Sequence, residues 1–364
     1  MTMRTTIAAG VTLAVLATSA CGVPDLIGGG DEEFTVTAGL AQLPRPEGEE
    51  YMVRVVDLDA ATEAAGLKRP TDLDPESISA WMAPLSGQQS DGSYAPVLAP
   101  MPELTNPKFG LKAQEFHDIA GWSTVDISSY AEVIDRPRSF ASLTGDFDDS
   151  TLDHLPEVGD GVRTVGEGED GEGDLARTTV VQPTGAPVRM AQRDGRLGGS
   201  SSTAAVEDWL DGPEMPLSDD PTMSSLADAL DEQDAVSAQF AVGGDFSAGT
   251  TLRTPRAADH VGPLPEHAFD AVAIGWLEPD GGPRLVVAYH FSDEGAAESS
   301  VDPIKEVFAS GRDMYGRALS DAYVVDKVTA DGPVVTAILE PQREGAQVKI
   351  QTRLQARDAP FLHQ

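Results

Sequence analysis

The sequence predicts an α+β protein of two domains, each an antiparallel sheet with helices packed on one face. Two hairpin signals carry this prediction, because Asp194-Gly195 and the PDGG run at 279–282 suit the positive φ angles of tight hairpin turns. Each hairpin precedes a segment with helical periodicity, and hairpins that alternate with helices are typical of α+β folds. The chain has 364 residues, more than a single core usually holds, so two domains are expected.

The clearest single element is a helix that begins after Asp74, a candidate N-cap, and has Pro75 at its first position. Its apolar side chains recur on one face, at Ile78, Trp81, Met82 and Leu85. A second helix with the same start is predicted after Asp220 and Pro221. The tryptophans lie in apolar patterns of this kind and are expected in the core: Trp81, Trp122, Trp209 and Trp276.

Composition divides the chain further. Residues 22–50 are rich in Gly, Pro, Asp and Glu without apolar periodicity, which is typical of a flexible tether. Residues 243–267 again lack periodicity and carry prolines, so the domain boundary is predicted there. The segment 346–357 fits a strand or a helix, and the pattern leaves both open. The predicted parts are a signal peptide at 1–20, a tether at 21–50, an N-terminal α+β domain at 51–242, a linker at 243–267 and a C-terminal α+β domain at 268–364.

The first residues have the layout of an export signal, with Arg4 followed by an apolar stretch at 7–17 and by small residues up to Cys21. The apolar stretch is short for a spanning helix, which needs about 20 residues. Thr18-Ser19-Ala20-Cys21 resembles the lipobox of bacterial lipoproteins, with Thr18 where leucine is preferred. The resemblance implies that the leader is cleaved before Cys21 and that acyl chains on this residue hold the mature protein on a membrane.

Cys21 is the only cysteine, so the alternative of a catalytic thiol also has to be weighed. A reactive thiolate needs partner groups that lower its pKa, and the sequence GVPDLIGGGDEE that follows Cys21 cannot form a pocket. An anchor is therefore the preferred interpretation. The mature chain then has no disulfide, and its stability depends on packing.

The formal net charge is -35, from 60 acidic and 25 basic side chains. Such a charge repels nucleic acid and anionic membrane surfaces, so nucleic acid is excluded as a partner. The simplest reason for the acidity is the solubility of an exported protein, or an organism with salty surroundings or a GC-rich genome. The charge therefore excludes partners more than it identifies one.

Three segments of the mature region, SFASLTGDFDDSTLDHL, APVRMAQRDGRLGGSS and DDPTMSSLADALD, resemble exported lipoproteins of actinobacteria. The patterns are diffuse and contain no catalytic signature. The resemblance implies a location on the extracytoplasmic face of the cell membrane and an α+β fold, and it transfers no site.

No catalytic motif is found along the chain. Ser200, Ser201 and Ser202 follow two glycines but lack a nucleophile elbow, so they are expected to form a turn and an N-cap. His260 and His267 lie in a proline-broken loop, where metal ligands would not converge.

The acidic run at 167–174 is expected to be a solvated loop without organised carboxylates. No phosphate-binding glycine loop is present, and no cofactor is expected. A pair of carboxylates that meet in space stays open, because with 60 acidic residues any pair could meet.

These observations predict a lipid-anchored protein of the cell envelope that binds a partner and is not an enzyme. The predicted partners are the membrane, through acyl chains on Cys21, and an envelope protein or small ligand. Two alternatives remain open: an envelope hydrolase with dispersed catalytic residues, and a carrier of an apolar ligand, which needs a large apolar cavity.

Overall fold

The computed structural model of the chain describes residues 34–90, 92–105, 112–136, 138–251, 261–277 and 282–364. Its α-helices are α1 (Val36–Leu40), α2 (Leu58–Ala64), α3 (Pro75–Leu85), α4 (Ala113–Ala120), α5 (Thr203–Asp211), α6 (Pro221–Asp231), α7 (Ala248–Thr251), α8 (Glu294–Ser310) and α9 (Ala346–Gln355). Its strands are β1 (Tyr51–Asp57), β2 (Ile127–Asp135), β3 (Arg138–Gly145), β4 (Glu157–Gly159), β5 (Val162–Val165), β6 (Val188–Arg193), β7 (Arg196–Ser200), β8 (Ala235–Val242), β9 (Phe269–Leu277), β10 (Arg284–Phe291), β11 (Tyr323–Asp331) and β12 (Val334–Pro341).

The strands of the described residues form one sheet of twelve, in the order β11-β12-β10-β9-β8-β1-β2-β3-β7-β6-β5-β4. Every neighbouring pair is antiparallel. Together with the helices, this sheet confirms the predicted α+β class.

The structure differs from the predicted division into two domains, because the sheet continues across the predicted linker at 243–267. Strand β8 precedes that segment and β9 follows it, yet the two strands pair directly, with Ala238 opposite Gly275 and Phe240 opposite Ala273. On its other side, Gly275 leaves room for Val286 of β10, since a Cβ atom on it would lie 2.6 Å from a Val286 side-chain carbon. The predicted domains 51–242 and 268–364 therefore share one sheet.

Helices cover both faces of the sheet, whereas the sequence predicted one. The central strands are apolar on both sides, as in β10, where Leu285, Val287 and Tyr289 join one buried cluster and Val286 and Ala288 join the other. Strands buried on both faces need a layer on each side. Helices α2, α3, α8 and α9 contribute to the first cluster, and α1, α5 and α6 contribute to the second.

The predicted tether at 21–50 is too long, because its second half is folded. Helix α1 lies within it and buries Val36 and Leu40. The carboxylate of Asp231, at the end of α6, accepts hydrogen bonds from the backbone amides of Val36 at 2.6 Å and Thr37 at 3.0 Å. A partner 195 residues away along the chain therefore holds the start of α1.

Other local predictions are confirmed. Asp74 caps α3 and Asp220 caps α6, each with proline at the start of the helix. The open segment at 346–357 is helical over α9, which buries Ile350 and Leu354. The four tryptophans are at most 1% exposed, as expected for core residues.

Candidate functional site

The serine run is structural in the folded chain. The hydroxyl of Ser200 donates to the Ser139 carbonyl at 2.8 Å and accepts from the amide of Ser202, which in turn caps α5. These side chains line an open groove of 270 Å³ that also contains Asp208 and Arg138. No histidine is among the described residues of that groove, and the carboxylates that line it include Asp135 and Asp208.

The described histidines that make side-chain hydrogen bonds make them with separate partners. His154 contacts the Ile119 carbonyl, and His290 pairs with Asp270 at 2.7 Å at the end of β10. His267 lies within reach of the Asp293 charge, and His260 falls outside the described residues. Across the part of the chain that the structure describes, no three His, Cys, Asp or Glu side chains are grouped to hold a metal ion.

The acidic run at 167–174 is more ordered than the sequence predicted. The buried side chain of Arg189 donates to the Asp170 carboxylate at 2.8 Å and to the Gly168 carbonyl at 2.8 Å. The same carboxylate accepts the backbone amide of Thr203, at the start of α5. Partial burial works to raise the pKa of Asp170, but the hydrogen bonds from Thr203 and Arg189 outweigh it and leave the pKa below its usual value. The sequence could not indicate that this loop is ordered, because the guanidinium that holds it belongs to Arg189 on β6, outside the loop.

The feature with the strongest functional character is a turn between α8 and β11 that presents two apolar side chains to solvent. Tyr315 is 75% exposed and Met314 is 45% exposed. The guanidinium of Arg317 lies 5.0 Å from the centroid of the Tyr315 ring and holds the ring by a cation–π contact. Large exposed side chains on a fixed turn are typical of contact surfaces.

Buried charges under this turn fix its backbone. Asp313, which has no exposed side-chain surface, accepts the amides of Tyr315 at 3.0 Å and Arg317 at 2.9 Å, and it pairs with Arg353 at 3.1 Å. Asp358 accepts the amide of Met314 at 2.8 Å and also pairs with Arg353, at 3.5 Å. The exposure of the two apolar side chains is therefore built into the fold, since three buried charged groups, Asp313, Arg353 and Asp358, support the turn.

Beside the turn lies a groove of 190 Å³ between the turn, the start of β11 and α9, called here the Tyr315 groove. Its lining includes Met314, Tyr315, Arg317, Tyr323, Arg343 and Lys349. Burial raises the pKa of Tyr323 to about 12, and its hydroxyl donates to the Ala346 carbonyl at 3.0 Å. The side of the groove that Tyr323 forms is therefore uncharged.

The rim of the Tyr315 groove is cationic. Arg343 pairs with Asp321 at 2.8 Å, both half exposed, and the side chain of Lys349 makes no ion pair or hydrogen bond with the residues that the structure describes. Arg317, whose guanidinium also pairs with Asp313 at 2.6 Å, adds a third cation to this rim in a chain whose acidic side chains outnumber the basic ones by 60 to 25. The arrangement suits an apolar contact surrounded by negative charge on a partner.

The sequence analysis missed the Tyr315 groove. The turn SGRDMYGRAL gives a weak signal, a lone aromatic between Asp313 and Gly316, and α9 had no assigned structure. Cys21, the one predicted site residue, lies outside the described residues. Over the ranges that the structure covers, no helix is both long enough and apolar enough to cross a bilayer.

Comparisons with known proteins add little. No family model matches this chain, and no curated protein matches it. A solved structure, crystal form IV of TP0453, aligns over 86% of this chain and 94% of its own length with 7% sequence identity and a TM-score of 0.35. A likeness of that degree carries no argument about function.

Proposed function

We propose that this protein is a lipid-anchored binding protein on the extracytoplasmic face of the cell membrane, which contacts a partner protein through the Tyr315 groove and is not an enzyme. The observation that carries the proposal is the exposed turn at 314–315 on its base of buried charges. Burying charged groups costs free energy. A turn that is held in place by such groups is therefore expected to display side chains that take part in binding.

The groove also suggests the chemistry of the partner. A volume of 190 Å³ is smaller than the pockets of about 300–1,000 Å³ that enclose small ligands. It suits one or two side chains of a protein surface. Arg317, Arg343 and Lys349 favour carboxylates on that surface, and Tyr315 favours an apolar pocket between them. The net charge of -35 repels such an acidic partner elsewhere, so it restricts docking to this region.

The anchor is the lipid on Cys21 that the lipobox resemblance implies. Twelve residues, 22–33, separate Cys21 from Phe34, the first described residue. A fully extended chain spans about 3.4 Å per residue, so the folded part would lie within about 40 Å of the bilayer. That reach suits a partner that is itself in or on the envelope.

The hydrolase alternative has no specific observation in its favour, because the hydroxyls of Ser200 and Ser202 are bonded to backbone groups and their groove has no described histidine. The same holds for the carrier of an apolar ligand, whose cavity beneath the sheet would occupy space that Trp276, Tyr289 and Phe291 fill.

The anchor is tested by fractionation and intact-mass analysis of protein from its native host. Wild type is expected in the membrane fraction with a diacylglyceryl group on Cys21 and no leader. Cys21→Ala is expected to lose the lipid and to retain its leader. An unmodified Cys21 in a soluble cytosolic chain would contradict the anchor.

The binding surface is tested by quantitative capture from envelope extracts with wild type, Tyr315→Ala and Leu175→Ala. Leu175 is the control because it is 80% exposed but far along the chain from the groove. A protein that wild type and Leu175→Ala retain and Tyr315→Ala loses is then purified. Its affinity for Tyr315→Ala is expected to be about tenfold or more below that for wild type, as for a hot-spot residue. Equal affinities would contradict the proposal.

A further inference from the structure

A second concave site lies on the other face of the sheet, between α1 and the strands β2 and β3. Its floor is a row of small side chains in register, in which Val55 stands opposite Ala131 and Ala131 stands opposite Ser142. Helix α1 forms one wall, and a Cβ on Gly39 would lie 2.3 Å from a Val55 methyl group, so the helix sits directly on β1. The volume is 350 Å³, within the range of about 300–1,000 Å³ for small-ligand pockets. It is called here the α1 pocket.

The lining of the α1 pocket is polar but carries no negative charge. It combines the hydroxyls of Ser129, Ser142 and Thr144 with the amide of Gln42 and the guanidinium of Arg196. None of the described residues that line it is Asp or Glu. In a chain with 60 acidic and 25 basic side chains, a pocket of this size without a carboxylate favours an anionic occupant.

Two of these polar groups are left unmatched by the protein. The Ser142 hydroxyl is buried, at 3% residue exposure, and has no hydrogen-bond partner. Arg196 makes no ion pair or side-chain hydrogen bond within the described residues. Buried polar groups are nearly always hydrogen-bonded, so an unmatched hydroxyl on a residue that lines a pocket indicates a ligand group that completes it.

The register places these groups together. Thr144 on β3 stands opposite Arg196 on β7, and Ser142 stands opposite Gly198, one step along the same face. An anionic group at Arg196 would therefore have two hydroxyls beside it on β3. A guanidinium binds carboxylate and phosphate groups through paired hydrogen bonds, and neighbouring hydroxyls suit the polar groups of the same molecule.

We propose that the α1 pocket binds a small polyhydroxylated organic anion, with its carboxylate or phosphate on Arg196 and its hydroxyl groups on Ser142 and Thr144. The site is separate from the Tyr315 groove, and its occupation does not depend on the proposed protein partner.

The test is isothermal titration of the chain from residue 22 onward with three probes of related shape: D-glucuronate, D-glucose 6-phosphate and neutral D-glucose. At least one anion is expected to bind with a saturable 1:1 isotherm, while glucose does not bind. Binding of glucuronate alone assigns a carboxylate ligand, and binding of the sugar phosphate alone assigns a phosphate ligand. Binding of both shows that the pocket accepts either anionic group.

Variants locate the site. Arg196→Gln is expected to lower the affinity for the anion about tenfold or more, and Ser142→Ala about threefold. The difference is expected because a charge-assisted hydrogen bond is stronger than a neutral one. The matched control is Arg136→Gln, an exposed arginine just after the far end of β2. It should bind as wild type does.

Neither Arg196→Gln nor Ser142→Ala removes a side-chain hydrogen bond or ion pair among the described residues, so both variants are expected to keep the wild-type melting temperature, which is measured alongside. The proposal is overturned if neither anion binds below about 10 mM, if glucose binds as well as the anions, or if Arg196→Gln binds unchanged.

Discussion

At the scale of single residues, the sheet contains a buried ion pair that the sequence does not reveal. Arg54 on β1 donates to Glu132 on β2 at 2.7 Å, and Glu132 is 1% exposed. The second carboxylate oxygen of Glu132 accepts the amide of Glu103 at 2.8 Å. Burial raises the pKa of Glu132, and the charge of Arg54 offsets only part of that rise. Each charge is tolerated because the other is present.

Breaking this pair from one side should therefore be costly. Arg54→Met leaves Glu132 buried without its counter-ion, and the free energy of unfolding is expected to fall by about 3–5 kcal/mol. The double variant with Glu132→Leu should recover most of that loss. Urea denaturation measures both, with Arg136→Met as the control, because its exposed ion pair with Glu103 is worth less than about 1 kcal/mol. An equal loss in the single and double variants would contradict this view.

The base of the Tyr315 turn should be sensitive to acid. Burial works to raise the pKa of Asp313, but hydrogen bonds from Arg317 and the charge of Arg353 outweigh it, so the pKa lies below its ordinary value. A carboxyl group with a depressed folded pKa stabilises the protein above its unfolded pKa, and this contribution is lost as the pH falls through the folded value.

The stability advantage of wild type over Asp313→Asn is therefore expected at pH 6 and should shrink below about pH 4. Urea unfolding of both chains at a series of pH values measures the difference. A difference that is constant with pH would show that the charge of Asp313 does not support the turn.

At the scale of elements, the sequence predicts those whose signals are local. Helices α3 and α6 were identified because Asp74 and Asp220 cap them and proline follows each cap. Helix α1 was missed because it has five residues and depends on Asp231, which is 195 positions away. The Tyr315 groove and the α1 pocket were missed for the same reason, since each combines side chains from separate elements.

Helix α1 provides a direct test of that long-range contact. Asp231→Ala removes the acceptor for the amides of Val36 and Thr37, and a lost cap of this kind costs about 1–2 kcal/mol. Hydrogen exchange at residues 36–43 is expected to accelerate. Asp228→Ala, an exposed change on the same helix, should leave it unaltered. Equal exchange in both variants would mean that the cap does not hold α1.

At the scale of the whole molecule, the sequence predicted the α+β class but not the single sheet. Segment 243–267 lacks periodicity, which resembles a linker, whereas the pairing of β8 with β9 depends on residues on either side of it. The helices on the second face were also not foreseen. A run such as β9, FDAVAIGWL, is apolar on both sides, and burial of both sides becomes evident only once a second layer is seen.

A continuous sheet should unfold as one unit. Hydrogen exchange in urea, followed at the amides of β2 and β10, is expected to show the same midpoint for both strands, because β1, β8 and β9 join them. Two separate midpoints, with β9–β12 opening independently of β1–β8, would instead support two domains.

The central claim is that Tyr315 contacts a partner protein at the cell envelope. The most direct measurement is photo-cross-linking in intact cells, with benzoylphenylalanine at position 315 and, as the control, at position 175. The account predicts a discrete adduct from position 315, none from position 175, and loss of the adduct when Arg343 and Lys349 are replaced by glutamate. Identical adduct patterns from the two positions, or an adduct that persists after the charge reversal, would contradict it.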